Sequence, residues 1–261
     1  MDTLTLGKHN PRLADIRRAI NGETLTDDGL LPVEGFKLIQ EAQNSGLKVE
    51  ALLVRSDIEP EKLTVRSPIY VLDQAAFRKI QTTEHSQGVI GLVGVKAASL
   101  SSLISNSSAK GPLVVLSRLQ DPGNTGTIIR VAESFGASGC VGLAGTVGLY
   151  NSKAVRASAG SVFRLPCAWN VGIEELALAL REAGIPLIGT SPHTKETIAD
   201  WNWRTKSAIL IGNEGSGLAA DEIQHCHTVL RIPLCSPVES LNSAIAASVI
   251  LYEAFKQQGP A

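Results

Sequence analysis

Two α/β segments joined by a short hydrophilic connector are the architecture this sequence predicts. Apolar runs of strand length alternate with helical patterns along most of the chain. The strand candidates beyond residue 112 are apolar throughout, as expected of parallel strands buried on both faces. Between the two textures lies residues 97–111, AASLSSLISNSSAKG, rich in Ser, Ala and Asn. We divide the chain into residues 1–98, a linker at 99–111, and residues 112–261. Its 261 residues, 44% hydrophobic and 19% charged, can bury a core, which excludes a disordered chain.

In the first segment, Leu13, Ile16 and Ile20 recur at helical spacing over 10–20. Residues 33–46 place Phe36, Ile39 and Ala42 on one face and stop at Gly46, so a helix is predicted there. Strands are predicted at 49–54 and 89–95, with a helix at 73–82 between them. In the second segment the predicted strands are 113–116, 140–143, 186–189, 208–211 and 229–232. Helices are predicted at 125–135, 152–159, 173–183, 219–225 and 240–255. The glycines recurring every third residue from Gly136 to Gly148 are read as strand edge and loop, too few for a collagen-like repeat.

Several function classes are excluded or made remote. No run of 18 apolar residues exists to cross a membrane as a helix, and the first 20 residues lack the apolar core of a secretory signal. A net charge of −1 excludes a globally basic nucleic-acid binder, though not a local basic patch. Cys140, Cys167, Cys226 and Cys235 are scattered and unpaired, which predicts a reduced, cytoplasmic protein. His225-Cys226-His227 with Cys235 matches no common zinc spacing, so no metal is expected. The dinucleotide fingerprint, the P-loop, the hydrolase elbow and the zincin helix are all absent.

What remains are three clusters, each after a predicted strand, where α/β sheets bind ligands. The first is Asp121-Pro122-Gly123-Asn124-Thr125-Gly126-Thr127-Ile128-Ile129-Arg130. Asn124 is either a helix cap or, with Arg130, a phosphate- or ribose-binding group. The second is Gly212-Asn213-Glu214-Gly215-Ser216-Gly217, a carboxylate inside a glycine turn that is either solvated or ligand-binding. The third runs from Ile232-Pro233 to Ser240-Leu241-Asn242, where Ser240 or Asn242 can be an ordinary helix cap. Five basic residues, Arg118, Arg130, Lys153, Arg156 and Arg164, face two acids in the stretch 118–164. Lys8, Arg12, Arg17 and Arg18 form a second basic stretch, and both are read as RNA contacts or solvated faces.

In this order and at these separations, the three clusters resemble the motifs of the SpoU (TrmH) family of RNA ribose methyltransferases, in the SPOUT superfamily. The resemblance covers about residues 112–257. Asn10-Pro11, Val33-Glu34-Gly35 and Gln87-Gly88-Val89 resemble the ribosomal-protein-like, substrate-binding domain of two-domain members. Where members often carry basic residues before Val-Glu-Gly, this chain has the acidic stretch ETLTDDG at 23–29. The resemblance implies methyl transfer from S-adenosylmethionine to a ribose 2′-hydroxyl, with ribosomal RNA favoured over transfer RNA by the two-domain layout. It implies a deep trefoil knot in the C-terminal domain and a homodimer packed near it, in keeping with the small-residue face of the last helix. It places catalysis on Arg130, Asn124, Glu214, Ser240 and Asn242. It places the cofactor on Gly189, Thr190, Ile211, Gly212, Ile232, Ser240 and Leu241, and requires no metal. RNA contacts are expected from Arg12, Arg17, Arg18, Arg118, Lys153 and Arg156. A transfer-RNA methyltransferase and a non-catalytic RNA-binding or ribosome-assembly protein are the competing expectations.

Overall fold

A computed structural model describes residues 3–5, 7, 10–59, 67–106 and 111–259; Lys8 and linker residues 107–110 lie outside the described residues. Chain contacts divide it into two units, residues 1–96 with 148–163, and residues 97–147 with 164–261.

The first unit is built on a five-stranded mixed sheet. Its strands are β1 (Thr3–Thr5), β2 (Leu30–Glu34), β3 (Val49–Arg55), β4 (Ile69–Leu72) and β5 (Val89–Gly94), in the order β1-β4-β3-β5-β2. β5 runs antiparallel to both β2 and β3, and the other pairs are parallel. Helix α1 (Pro11–Asn21) starts where Asn10 Oδ1 accepts from the Arg12 amide at 2.9 Å, with proline at its first position. It buries Leu13, Ile16 and Ala19. The helix predicted over 33–46 is instead β2 followed by α2 (Phe36–Asn44). Gly35, at φ +99°, makes the break that a residue with a Cβ rarely adopts. Asp73 caps the short α3 (Gln74–Arg78).

Residues 148–163, which the sequence places in the second segment, belong to this first unit. They carry α6 (Ser152–Ala157), capped by Asn151, and its Val155 joins the core of Leu31, Val33, Leu52 and Val89. Glu23 fastens the segment by accepting from the Gly148 amide at 2.7 Å and from Asn151 Nδ2 at 2.5 Å. A Cβ on Gly148 would lie 2.6 Å from the Glu23 carboxylate.

The second unit is a six-stranded, wholly parallel sheet. Its strands are β6 (Leu113–Leu116), β7 (Gly139–Leu143), β8 (Cys167–Val171), β9 (Leu187–Thr190), β10 (Ala208–Ile211) and β11 (Thr228–Leu230). Helices α4 (Leu100–Asn106), α5 (Pro122–Ser134), α7 (Ile173–Glu182), α8 (Ala220–Gln224) and α9 (Ser243–Gln258) accompany it. The sequence missed β8, and it read as linker a stretch that forms α4, whose Leu100 and Leu103 are buried one turn apart. β6, β7 and β10 are buried at every position, which is why their sequences are apolar throughout. Gly142 of β7 is required by packing, since a Cβ there would come within 2.4 Å of the Trp169 ring.

The strand order is β11-β9-β10-β6-β7-β8. From β6 the chain steps outward through β7 to β8, then returns on the far side through β9, β10 and β11. The order therefore reverses between β6 and β10, whose ends are in register at Leu116 and Ile211. Such a switch point opens a crevice beyond the carboxyl ends of the strands.

Candidate active site

The first two clusters leave the sheet at that switch point. Asp121, not Asn124, is the cap of α5: its Oδ1 accepts from the Asn124 amide at 2.9 Å. The Asn124 side chain is thereby released from capping. Its Nδ2 donates to Glu214 Oε1 at 3.1 Å, and its Oδ1 accepts from Asn242 Nδ2 at 3.0 Å. Glu214 also accepts from the amides of Gln120 at 3.3 Å and Asp121 at 3.4 Å. Burial works to raise the Glu214 pKa, but the donors from Asn124 and the backbone outweigh it and hold the carboxyl below its usual range. Asn242 serves twice: its Oδ1 caps α9 through the Ala244 and Ile245 amides while its Nδ2 reaches Asn124. One residue from each cluster thus joins a single chain, Glu214–Asn124–Asn242.

The glycine loop that carries Glu214 folds back on itself. Asn213 and Gly217 exchange backbone hydrogen bonds at 3.1 and 3.0 Å. A Cβ on Gly212 would sit 2.6 Å from the Gly217 carbonyl carbon, so only glycine fits there. Asn213 Nδ2 donates to the Arg118 carbonyl at 2.8 Å.

Other expected site residues lie nearby in the fold without joining the chain of hydrogen bonds. Arg130 is exposed on α5; its carbonyl accepts from Ser134 Oγ at 2.8 Å, and its side chain makes no ion pair or hydrogen bond among the described residues. Six residues of helix turn it about 240° from Asn124, so the two side chains leave different faces. Ser240 is exposed in the loop before α9.

The residues expected to hold the cofactor lie at strand ends or in the loops that follow them. Gly189 and Thr190 end β9, and Thr190 Oγ1 donates to the Leu210 carbonyl at 3.0 Å. Ile211 is buried, and Ile232 and Leu241 are half-buried. The amides of Ile232, Ser240 and Leu241 donate to no backbone carbonyl among the described residues. Amide donors and aliphatic side chains are the groups that a planar heterocycle with edge acceptors requires.

The basic residues fare unequally. Arg12 lies over the Tyr70 ring at 5.3 Å. Arg18 is paired with Asp15 and with Asp27 of the acidic stretch. Arg156 donates to Thr82 Oγ1 at 2.7 Å, and Arg118 pairs with Glu222 at 3.1 Å. Lys153 lies in the first turn of α6. Arg17 is exposed and, among the described residues, unpaired; with Arg18, Lys79, Asn10 and Asn21 it lines a cleft of about 710 Å³. Sequence reasoning missed Glu34, which is 8% exposed and accepts from Thr82 and Thr83. Burial raises its pKa, and hydrogen bonds from Ser86, Thr82 and Thr83 bring it below the usual value. The acid of the Val-Glu-Gly string was its only signal.

A parallel α/β sheet with a polar cluster at its switch point defines a ligand-binding α/β domain. The pattern of the SpoU rRNA Methylase family matches residues 111–252, and the chain belongs to that family. The pattern of the MRM3-like substrate binding domain matches residues 26–91. The chain is 27% identical over 244 residues to the Bacillus subtilis 23S rRNA (guanosine(2553)-2′-O)-methyltransferase RlmP, covering 93% of this chain and 95% of that protein. It resembles the crystal structure of the SpoU methyltransferase AviRb from Streptomyces viridochromogenes in complex with the cofactor AdoMet, at TM-score 0.83 and 29% identity over 96% of this chain and 98% of that one. An AdoMet-bound rRNA methyltransferase from Sinorhizobium meliloti aligns at TM-score 0.84 and 26% identity, covering 99% of each chain.

Proposed function

We propose that this protein transfers a methyl group from S-adenosylmethionine to a ribose 2′-hydroxyl of large-subunit ribosomal RNA. The observation that carries the reading is the Glu214–Asn124–Asn242 chain, which joins the three motif strings at the sheet's switch point. The ribosomal-RNA assignment is supported by the full-length likeness to RlmP and by the substrate-binding pattern at 26–91.

The donor set fits the cofactor. Adenine asks for backbone donors at its edge and aliphatic side chains on its faces, which Gly189, Thr190, Ile211, Gly212, Ile232, Ser240 and Leu241 offer. When bound, the cofactor supplies a methyl group already activated on sulfur, so no metal is needed. The chain's own residues must orient the ribose and ease loss of the hydroxyl proton. Asn124 and Asn242, locked to Glu214 and to the α9 cap, are preorganised to hold ribose. A guanidinium is a poor base, so Arg130 is not assigned the proton abstraction. Its role is to bind the adjacent phosphate and stabilise negative charge developing on the 2′-oxygen. Arg17 and Lys79 supply phosphate contacts in the N-terminal unit.

The protein acts as a cytoplasmic homodimer with the family's knotted C-terminal domain. Ile245, Val249 and Tyr252 are 53%, 36% and 55% exposed on α9 and follow one another at helical spacing, a stripe suited to a second copy.

The test is transfer of radiolabelled methyl groups into total RNA from a strain lacking the gene, with Arg130→Ala as control. Label in one RNA, lost in the variant and mapped to an alkali-resistant linkage, supports the reading. Absence of label from naked and ribosome-bound RNA alike rejects it.

A further inference from the structure

The proposed reaction leaves the buried polar cluster around Glu222 without a task. Glu222 of α8 is almost fully buried, and its carboxylate takes the Ser117 hydroxyl, the Ala219 amide at 2.7 Å and Arg118 Nη2 at 3.1 Å. The Arg118 guanidinium also donates to Ser117 Oγ at 3.3 Å and to the Gly217 carbonyl at 3.4 Å. Its backbone is as constrained as its side chain. Arg118 has φ +52°, a left-handed conformation that non-glycine residues hold only when their surroundings impose it. The Arg118 amide donates to Thr146 Oγ1 at 3.0 Å, and its carbonyl accepts from Gln120 Nε2 at 3.1 Å and Asn213 Nδ2 at 2.8 Å.

One residue therefore grips the glycine loop at both ends. The Arg118 carbonyl holds Asn213 where the loop leaves β10, and its guanidinium holds Gly217 where the loop returns. Glu214 projects from between those two points to meet Asn124. We propose that Arg118 and Glu222 are positioning residues for methyl transfer, pinning the 212–217 loop to the end of β6 so that Glu214 meets Asn124 in one geometry. The assignment rests on the reading of the Glu214–Asn124–Asn242 chain as part of the active site. It moves Arg118 from RNA contact to loop support, which agrees with its side chain being only 38% exposed. A guanidinium is required because three acceptors on different segments are met by one planar fork, which an ammonium cannot reproduce.

A double-mutant cycle tests it. Arg118→Ala should lower kcat about tenfold with KM for RNA changed less than about threefold, and in a Glu214→Gln background the same substitution should cost less than about twofold. Arg118→Lys should recover part of kcat by restoring the pair with Glu222 alone. Equal fold-losses in both backgrounds, a loss confined to KM, or full recovery by lysine would overturn the assignment. If the wild-type protein transfers no methyl group, or Glu214→Gln none, the cycle is closed in urea unfolding, which needs no ligand. Non-additive losses there keep the loop-pinning role even as the functional reading falls, and additive losses overturn it.

Discussion

Asn124→Asp is the sharpest perturbation of the proposed site, because it keeps size and shape and reverses one interaction. The amide that donates to Glu214 Oε1 at 3.1 Å becomes a carboxylate oxygen at the same place. Two unit charges at about 3 Å repel by about 1 kcal/mol at a water-like dielectric and about 5 kcal/mol at an effective value of about 20. Glu214 is exposed, so the lower end applies. The lost hydrogen bond to a charged acceptor adds about 1.5 kcal/mol. The sum, about 2–3 kcal/mol of misplacement at the reacting ribose, corresponds to a rate loss on the order of 30- to 100-fold. Asn124→Ala, which loses the bond without adding charge, should cost about 10-fold. Single-turnover methyl transfer at saturating cofactor measures both. The aspartate variant should also gain on the wild type as pH falls, because protonating one of two facing carboxylates removes the repulsion. Turnover of Asn124→Asp within threefold of wild type, or no difference between the aspartate and alanine variants at any pH, would refute the reasoning.

Three further outcomes are expected. Replacing Arg17 and Lys79 by alanine should weaken RNA binding at low salt and reduce the slope of log affinity against log salt by about 2, one phosphate contact each; an unchanged slope removes the α1 cleft from the RNA path. Ile245→Glu should shift the mass in solution from dimer to monomer, read by sedimentation, with the fold intact by circular dichroism; a persistent dimer would place the interface elsewhere. Glu34→Gln should cost about 2 kcal/mol of stability near neutral pH, since three short hydrogen bonds to a buried carboxylate are weakened. The Glu34 pKa is lowered on folding, so its contribution is complete above the ordinary glutamate range of about 4.3 and fades as pH falls through the folded value. Urea unfolding at neutral and acid pH should therefore show wild type and variant converging in acid.

Legibility followed burial. β6 and β10 were found at their true bounds because strands covered on both faces have no polar positions to confuse the pattern. β8 escaped because it is an edge strand carrying Trp169 and Asn170, the latter at φ +59°. β2 was absorbed into the following helix, since Val33 fits either period and only the backbone at Gly35 separates them. The three motif strings were legible, and their residue types suggested the site. Which residue caps α5 was not: Asp121 and Asn124 are both good caps, and the fold decides between them. Long-range pairs were beyond reach. Arg118 was read as an RNA contact or a solvated face because Glu222 lies 104 positions away, and the acidic 23–29 stretch stood out only as a departure from the basic residues of the family. In the fold Glu23 holds Gly148 and Asn151, 125 and 128 positions on, and Asp27 pairs with Arg18.

That division of labour explains how a site can be built at loop ends that are exposed to water. Loops at strand ends carry few buried contacts to hold a side chain in place. Here the orienting groups take their rigidity from helix starts. Asp121 caps α5 and leaves Asn124 fixed in the first turn with its side chain free, and Asn242 spends one side-chain atom on the α9 cap and the other on Asn124. Glu214 closes the chain by accepting from the amides that precede α5. The residues that hold Asn124 therefore also make hydrogen bonds that a helix or loop needs to fold. Substitutions at Asp121 or Asn242 should consequently lower stability and turnover together, whereas Asn124, which caps nothing, should separate the two.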